Sequence, residues 1–190
     1  EVKALIKNIT TVLRIDQTKD NPVDKFIWIP YGISLLNIFP ENDTSSLSEL
    51  QNNLALVLKV LGDFEGAKKL LEKALASNEK NFGPDHPSTA GSYSNLAVVL
   101  KVLGDFEGAK GLLEKALTSN ERNFGPDHPS TAGSYSNLAV VLHALGDYEK
   151  ALILAETALA VFMKTLPSGH PYIKQAQDIY EGIKEQAGDK

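Results

Sequence analysis

Three histidines are the residues whose type and spacing first suggest chemistry. His86, His128 and His170 each precede a proline, and successive members are 42 residues apart. A metal site needs side chains that converge to about 2 Å from one ion. Equivalent atoms of successive helical repeats are instead separated by roughly a helix diameter, about 10 Å. We therefore expect these histidines to cap or brace the helix that follows each of them, and we expect no metal site.

No other group of residues has the pattern of an active site. Carboxylates such as Glu72 and Glu114 adjoin lysines and are expected on solvated helix faces. The glycine-containing segment 104–110 lacks the spacing and the hydroxyl residue of a phosphate-binding loop. The chain has no cysteine, which excludes disulfides, thiolate nucleophiles and zinc–sulfur sites. The sequence therefore indicates a protein that is not an enzyme and has no cofactor.

Composition narrows the range of partners. The net charge is −5, whereas proteins that bind nucleic acid usually carry a basic stripe. No apolar run approaches the roughly 20 residues that span a bilayer. We therefore expect neither a nucleic-acid nor a membrane partner. The absence of cysteine and of a signal peptide is compatible with the cytoplasm, and the absence of an initiator methionine indicates a piece of a longer protein.

A 42-residue period dominates the chain and must position any functional residues. Segments 57–100 and 99–142 differ at only three positions, which are Lys69 against Gly111, Ala76 against Thr118, and Lys80 against Arg122. A weaker third copy follows, with Gly146-Asp147-Tyr148 in place of Gly104-Asp105-Phe106. A fixed period of this length is typical of repeat arrays.

Each unit is predicted to be a pair of helices. Pro87 and the spacing of the apolar residues after it predict a first helix over about 87–103. Asp105 is the expected N-cap of a second helix over 106–123, which Gly125-Pro126 ends. The short Gly104-Asp105 turn makes the two helices antiparallel. Small residues are expected between them, and the periodic aromatics are expected in the core; these are Ala97, Ala109 and Ala116, and Phe64, Phe82, Tyr93, Phe106, Phe124, Tyr135 and Tyr148.

The motifs Asn-Leu-Ala, Leu-Gly-Asp-Phe, Glu-Gly-Ala-Lys and Glu-Lys-Ala-Leu resemble those of tetratricopeptide repeats. The 42-residue length and the Phe-Gly-Pro-Asp-His-Pro linker resemble the long-helix subtype of kinesin light chains and of the C-terminal arrays of large signalling NTPases. The resemblance implies an all-α, right-handed solenoid of antiparallel helix hairpins. We divide the chain into a degenerate helical repeat and linker over 1–44, repeat units over 45–86, 87–128 and 129–169, and a C-terminal capping helix over 170–190.

The two ends are predicted from the same period. Shifting by one repeat predicts helices over 2–15 and 23–39, with Pro30 either kinking the second helix or setting its start. Trp28 and Ile29 are expected to pack on the next hairpin. Asp20-Asn21 replaces the Gly-Asp turn, and 41–46 is expected to be a polar linker. The helix over 172–186 is polar, as suits a solvating cap or an internal position of a longer array.

The candidate binding residues lie on the first helix of each unit. In tetratricopeptide arrays these helices line the concave surface, and the resemblance implies that Asn53, Asn95 and Asn137 hydrogen-bond the backbone of an extended peptide. A carboxamide offers both a donor and an acceptor for this purpose. The alternative is an intrahelical or solvent-facing asparagine that recent duplication has repeated. Helical spacing places further residues on the same face, namely Asn52, Leu56 and Lys59; Ser94, Val98 and Lys101; and Ser136, Val140 and His143.

These residues predict a groove with small polar groups at one end, an aliphatic strip and a cationic edge. Its expected ligand is an extended or helical segment with an apolar anchor and acidic groups. Gly91 and Gly133 stand where carboxylate-clamp members of the family carry Lys or Arg, which disfavours binding of a C-terminal acidic tail. The predicted function is a protein–protein interaction module of a larger scaffold or signalling protein. The alternative is a self-associating or intramolecular autoinhibitory packing domain.

Overall fold

The computed structural model describes residues 2–14, 22–38 and 45–188. These residues form helices joined by turns and include no strand. The α-helices are α1 (Val2–Leu13), α2 (Ile29–Ile38), α3 (Ser45–Val60), α4 (Phe64–Phe82), α5 (Pro87–Val102), α6 (Phe106–Phe124), α7 (Pro129–Ala144), α8 (Tyr148–Thr165) and α9 (Pro171–Gly188), and a 3₁₀ helix over Pro22–Trp28 leads into α2. The predicted all-α solenoid of helix hairpins is confirmed. Within the described ranges, no helix is both long enough and apolar enough to cross a bilayer.

A glycine and a capping aspartate make the turn inside each hairpin. Gly104 has a φ of +86°, a conformation that residues with a Cβ rarely adopt. The Asp105 carboxylate then accepts a hydrogen bond from the Gly108 amide at 2.9 Å, so the predicted N-cap of α6 is confirmed. The same pair recurs one period away on either side. The turn is therefore written into the sequence at this point of the repeat.

Gly125 ends α6 in a way that differs from the expected left-handed helical C-cap. Its φ of +83° is positive, but its ψ of 168° is extended. The Gly125 amide still donates to the Glu121 carbonyl oxygen. The chain therefore leaves α6 in an extended direction, which carries it through Pro126 to the start of α7.

The chain forms two compact units, residues 1–84 and residues 85–190. The first unit contains α1 to α4, and its core joins α1, α2 and α3. Trp28 and Ile29 pack against this core, as predicted. Pro30 is the second residue of α2, so of its two predicted effects it sets the start of the helix. The predicted turn at Asp20-Asn21 and linker residues 41–44 lie outside the described residues.

The second unit contains α5 to α9, with α5 packed on α6 and α7 packed on α8. Alanines let these helices approach closely: Ala97, Ala109 and Ala116 are fully buried, as predicted. The terminal helix α9 packs on α8 through Ala176, which lies against Val161 and Phe162. The charged and amide side chains predicted on the polar surface of α9 are exposed; these are Lys174, Gln175, Gln177, Asp178, Glu181, Lys184 and Glu185.

The aromatic core prediction is correct for some residues and wrong for others. Tyr93 and Tyr135 are buried. Phe124 is 41% exposed and stacks on His128, with ring centroids 4.7 Å apart. Phe82 is similarly exposed one period earlier. The difference arises because the end of the second helix reaches the linker, where no neighbouring helix covers the ring.

The linker aspartate joins successive hairpins of the second unit. The Asp85 carbonyl oxygen accepts hydrogen bonds from Ser119 and Asn123 of α6, and its carboxylate pairs with Arg122. One period later, Asp127 pairs with Lys164 of α8 at 2.7 Å. These pairs are exposed, so each contributes little to stability. They nevertheless fix which end of the second helix lies beside which linker.

Candidate functional site

The periodic histidines are structural. The Nδ1 atoms of His86 and His128 accept hydrogen bonds from the amides of Ser88 and Ser130, both at 3.1 Å. The Nδ1 atom of His170 accepts from the Tyr172 amide at 3.2 Å. The prediction that these residues cap the following helix is confirmed. In the part of the chain that the structure describes, no three His, Asp or Glu side chains are placed to hold a metal ion.

Asn53 departs from the predicted role. Its side chain is only 6% exposed, and its amide nitrogen donates a hydrogen bond to the Thr10 carbonyl oxygen at 3.0 Å. The degenerate N-terminal repeat supplies α1, which packs on α3 and covers this position. Asn53 therefore does bind a backbone carbonyl, but one that belongs to its own chain. Its neighbours Asn52, Leu56 and Lys59 are half-buried on α3.

The second unit presents a more accessible version of the predicted face. Asn95 and Asn137 are half-buried, as are their neighbours Ser94, Val98, Lys101 and Val140. No hydrogen bond joins the Asn137 carboxamide to another described residue. Ser136 is only 8% exposed and so contributes little surface, contrary to expectation. The carboxamide that is best placed to meet a partner is therefore that of Asn137.

A groove of about 540 Å³ lies on this face, where α5, α7 and α9 meet. Lys101 and Val140, two of the predicted residues, line it. Its other walls come from α9, and sequence reasoning missed them; they are Pro171, Lys174, Gln175, Asp178 and Ile179. The 42-residue period could have found them, because Ile179 falls one period after Asn137 and Gln175 one period after Gly133.

The chemistry of the groove follows from these residues. Val140 and Ile179 provide an aliphatic wall, and Gln175 adds one carboxamide. Two ammonium groups, Lys101 and Lys174, face one carboxylate, Asp178, so the lining is net positive although the whole chain carries a net charge of −5. Such a groove suits an acidic segment with an aliphatic side chain.

His143 does not stand free as the expected cationic edge. Its ring packs edge-on against Tyr148 at the start of α8, with centroids 5.2 Å apart. Its Nε2 atom is buried and has no hydrogen-bond partner among the described residues. The side chain therefore turns toward its own hairpin, where the aromatic ring offers a contact that an extended lysine would not make.

A second cavity, of about 340 Å³, contains none of the predicted site residues. It lies between α6, α7 and α8 and is lined by Lys110, Glu114, Leu138, Leu142, Lys150, Ile153 and Leu154. At its rim, Lys150 Nζ donates to the Asp147 carboxylate at 2.8 Å. That hydrogen bond lowers the pKa of Asp147 and raises the pKa of Lys150. The rim charges are thus already paired.

Tyr135 links α7 to the end of α6. Its hydroxyl donates to the Glu121 carboxylate at 2.6 Å. Burial, together with the hydrogen bond and the charge of Glu121, raises the pKa of Tyr135 to about 12. Because this contact ties α7 to the helix before it, the role of Tyr135 is structural.

Comparison with known proteins gives a consistent picture. The sequence profile of the tetratricopeptide repeat matches residues 46–119 and 88–164. No curated protein matches the chain.

Several solved structures are similar in fold. BtubC (BKLC) from P. vanneervenii is 24% identical, with a TM-score of 0.78 over 99% of this chain and 75% of that one. A kinesin light chain-like protein from Podospora anserina with nearly identical TPR-like repeats is 24% identical, with a TM-score of 0.79 over 100% of this chain and 90% of that one. The apo form of RapI is 16% identical, with a TM-score of 0.68 over 88% of this chain and 45% of that one. These likenesses concern the fold.

Proposed function

Because the chain belongs to the tetratricopeptide repeat family, whose fold generally serves protein–protein interaction, we propose that it binds a peptide segment or a partner domain without catalysing a reaction. We place the site on the face formed by α5, α7 and α9. The observation that carries the proposal is the net-positive groove lined by Lys101, Val140, Lys174 and Ile179. The accessible carboxamide of Asn137 lies one helical turn from Val140, on the same helix face.

The proposed division of labour separates backbone from side-chain recognition. Asn137 offers a donor and an acceptor to a peptide group and so holds an extended chain without selecting its sequence. Val140 and Ile179 would contact one aliphatic side chain of the ligand. Lys101 and Lys174 would attract its carboxylates, which supplies specificity and speeds association. Asn95 is included on the same face of α5, one period before Asn137.

The ligand is therefore proposed to be a segment with one aliphatic anchor flanked by acidic residues. A groove of this size that holds a linear segment typically binds with a Kd in the micromolar range, which corresponds to about −8 kcal/mol. We further propose that the module works in the cytoplasm as part of a larger scaffold or signalling protein. The repeat borders given above, including the unit over 87–128, remain part of this proposal.

A displayed library of random dodecapeptides, selected on the purified 190-residue protein, tests the proposal. Selected peptides should be enriched in Asp or Glu around an aliphatic residue. The best peptide is then titrated by fluorescence polarisation against the wild type and the Asn137→Ala variant. Removing one uncharged hydrogen-bond partner costs about 1 kcal/mol, so the Kd should rise about fivefold.

A charge variant and its control complete the experiment. Lys101→Ala combined with Lys174→Ala should weaken binding most at low ionic strength, because screening grows with salt. Lys73→Ala, which removes an exposed ammonium from α4, should leave the Kd unchanged. A selected peptide whose affinity ignores Asn137, Lys101 and Lys174 would show that this groove is not the site.

A further inference from the structure

The second helix of the first hairpin carries an outward stripe of apolar side chains. Ile27, Tyr31 and Ile38 are 70%, 57% and 64% exposed. Their spacings of four and seven residues place them on one side of the 3₁₀ helix and α2. None of the three belongs to the core that joins α1, α2 and α3. The stripe is therefore a surface of the first unit and not part of its interior.

The repeat shows what normally stands at these three positions. One period later they are Lys69, Lys73 and Lys80 of α4, and all three are exposed. Two periods later they are Gly111, Lys115 and Arg122 of α6, which are exposed as well. The positions thus face outward in each of these hairpins, and only α2 makes all three apolar.

The structure supports this register. The 3₁₀ helix begins at Pro22, one period before Phe64 begins α4. Gly32 is buried in α2, as Ala74 is in α4. The exchange of lysine for isoleucine and tyrosine therefore affects equivalent surface positions. Large apolar side chains that share one exposed face mark an interaction site more often than isolated ones do.

We propose that this stripe, Ile27, Tyr31 and Ile38, is a homodimer contact that takes the same stripe of a second copy of the chain. A two-fold contact brings each patch onto itself, so it is acceptable only where the patch does not carry charge of one sign. The α2 stripe is uncharged, and Ser34, which is exposed on the same face, is neutral as well. The corresponding face of α4 would place lysines against lysines, which is unfavourable. Among these faces, α2 is the one suited to self-pairing.

The contact should be weak. One helix stripe offers much less area than the roughly 800 Å² per partner of a standard interface. We therefore expect monomer and dimer to exchange, with dimer populated at tens of micromolar protein. This contact lies on the first unit, whereas the proposed peptide groove lies on the second, so either can fail without the other.

Sedimentation velocity over a concentration series tests the contact. The wild type should sediment as a 20.6 kDa monomer at low concentration and shift toward twice that mass as concentration rises. The variant Ile27→Lys/Tyr31→Lys/Ile38→Lys restores the residues of the next hairpin and should remain a monomer throughout. Ile153→Lys, at the equivalent exposed position of α8, is the matched control and should dimerise like the wild type.

A cysteine cross-link tests the geometry without disturbing the stripe. The chain has no native cysteine, so a single introduced thiol is unique. Ser34→Cys lies at the centre of the stripe and should form a disulfide-linked dimer under mild oxidation, whereas Ser168→Cys, exposed after α8, should not. A wild type that stays monomeric at the highest concentration, or dimers lost equally in Ile153→Lys, would overturn the proposal. Equal cross-linking of the two cysteine variants would do so too.

Discussion

The Asn53 side chain on α3 donates a hydrogen bond to the Thr10 carbonyl oxygen on α1, across 3.0 Å. A carboxamide of the repeat thus already binds a helix backbone within the chain. The same residue type two periods later, Asn137, has no such partner among the described residues. Two residues of identical type and register therefore serve different purposes, which can be separated by experiment.

Asn53→Ala should lower the free energy of unfolding by about 1 kcal/mol, because a buried hydrogen bond is lost. The penalty is not larger because the Thr10 carbonyl oxygen also accepts from the Arg14 amide at 3.1 Å and keeps a partner. Urea denaturation monitored by circular dichroism measures the change. Asn137→Ala should leave stability within about 0.5 kcal/mol of wild type, as surface substitutions usually do. Equal losses in the two variants would contradict the distinction between them.

His128→Ala should destabilise the second unit by about 1 kcal/mol, because the N-cap of α7 is lost. The ring also stacks on Phe124, so alanine removes two contacts at once. His128→Asn separates them, since asparagine caps well but cannot stack. Thermal unfolding of both variants should show that Asn recovers most of the loss. Equal destabilisation by Ala and Asn would mean that the ring contact and not the cap matters.

Gly111→Ala should stabilise the protein by about 0.5–1 kcal/mol, because Ala is the better helix former. Gly111 lies inside α6, and a methyl group added to its Cα would meet open space. Gly108→Ala is the matched control on the same helix. A Cβ there would lie 2.5 Å from the Asp105 carboxylate, so the gain in helix propensity is offset by disturbance of the cap. Equal stabilisation by the two substitutions, measured by urea denaturation, would contradict this role of Gly108.

The third hairpin shows how the cap tolerates a side chain at that position. Lys150 stands one period after Gly108, and its amide lies 3.4 Å from the Asp147 carboxylate, against 2.9 Å at Gly108. The Lys150 ammonium group compensates by pairing with the same carboxylate. Gly108→Lys should therefore be less destabilising than Gly108→Leu, which crowds the cap and supplies no charge.

Tyr135→Phe should lower stability by about 1 kcal/mol near neutral pH, because the hydrogen bond to Glu121 is lost. The folded-state pKa of Tyr135 is raised from 10.0 to about 12, so the wild type should lose stability as the pH rises from 10 to 12. In the unfolded chain the hydroxyl deprotonates first, which favours unfolding. Urea denaturation from pH values below this range up to its top should therefore show the difference between wild type and variant shrinking. A constant difference would contradict the raised pKa.

The sequence predicted the helices closely because the repeat states each boundary several times. Pro87, Asp105 and Gly104 each have a local physical reason to begin, cap or turn a helix, and the structure uses each for that purpose. The exact course after Gly125 was less predictable. A glycine permits a positive φ with more than one ψ, and the packing of the linker selects between them.

The site was less predictable because it depends on neighbouring helices. Whether an asparagine on a first helix is open is decided by the preceding repeat, and at Asn53 that repeat is the degenerate one containing α1. The groove residues of α9 fall at periodic positions, but their types have diverged, with isoleucine in place of asparagine at 179. His143 has the spacing of a lysine but packs as an aromatic ring. Pattern gives the position of a residue, and the surrounding packing gives its availability.

The Gly104-Asp105 turn has a consequence for how this chain finds its native pairing. Helices α5 and α7 share one sequence except at their last two residues, so α6 meets two almost indistinguishable surfaces while it folds. Apolar complementarity cannot tell these surfaces apart. A two-residue connection closes faster than the longer linker after α6, because short loops cost less entropy. The order of assembly is thereby set by connectivity, with the α5–α6 hairpin forming first and α7 docking afterwards.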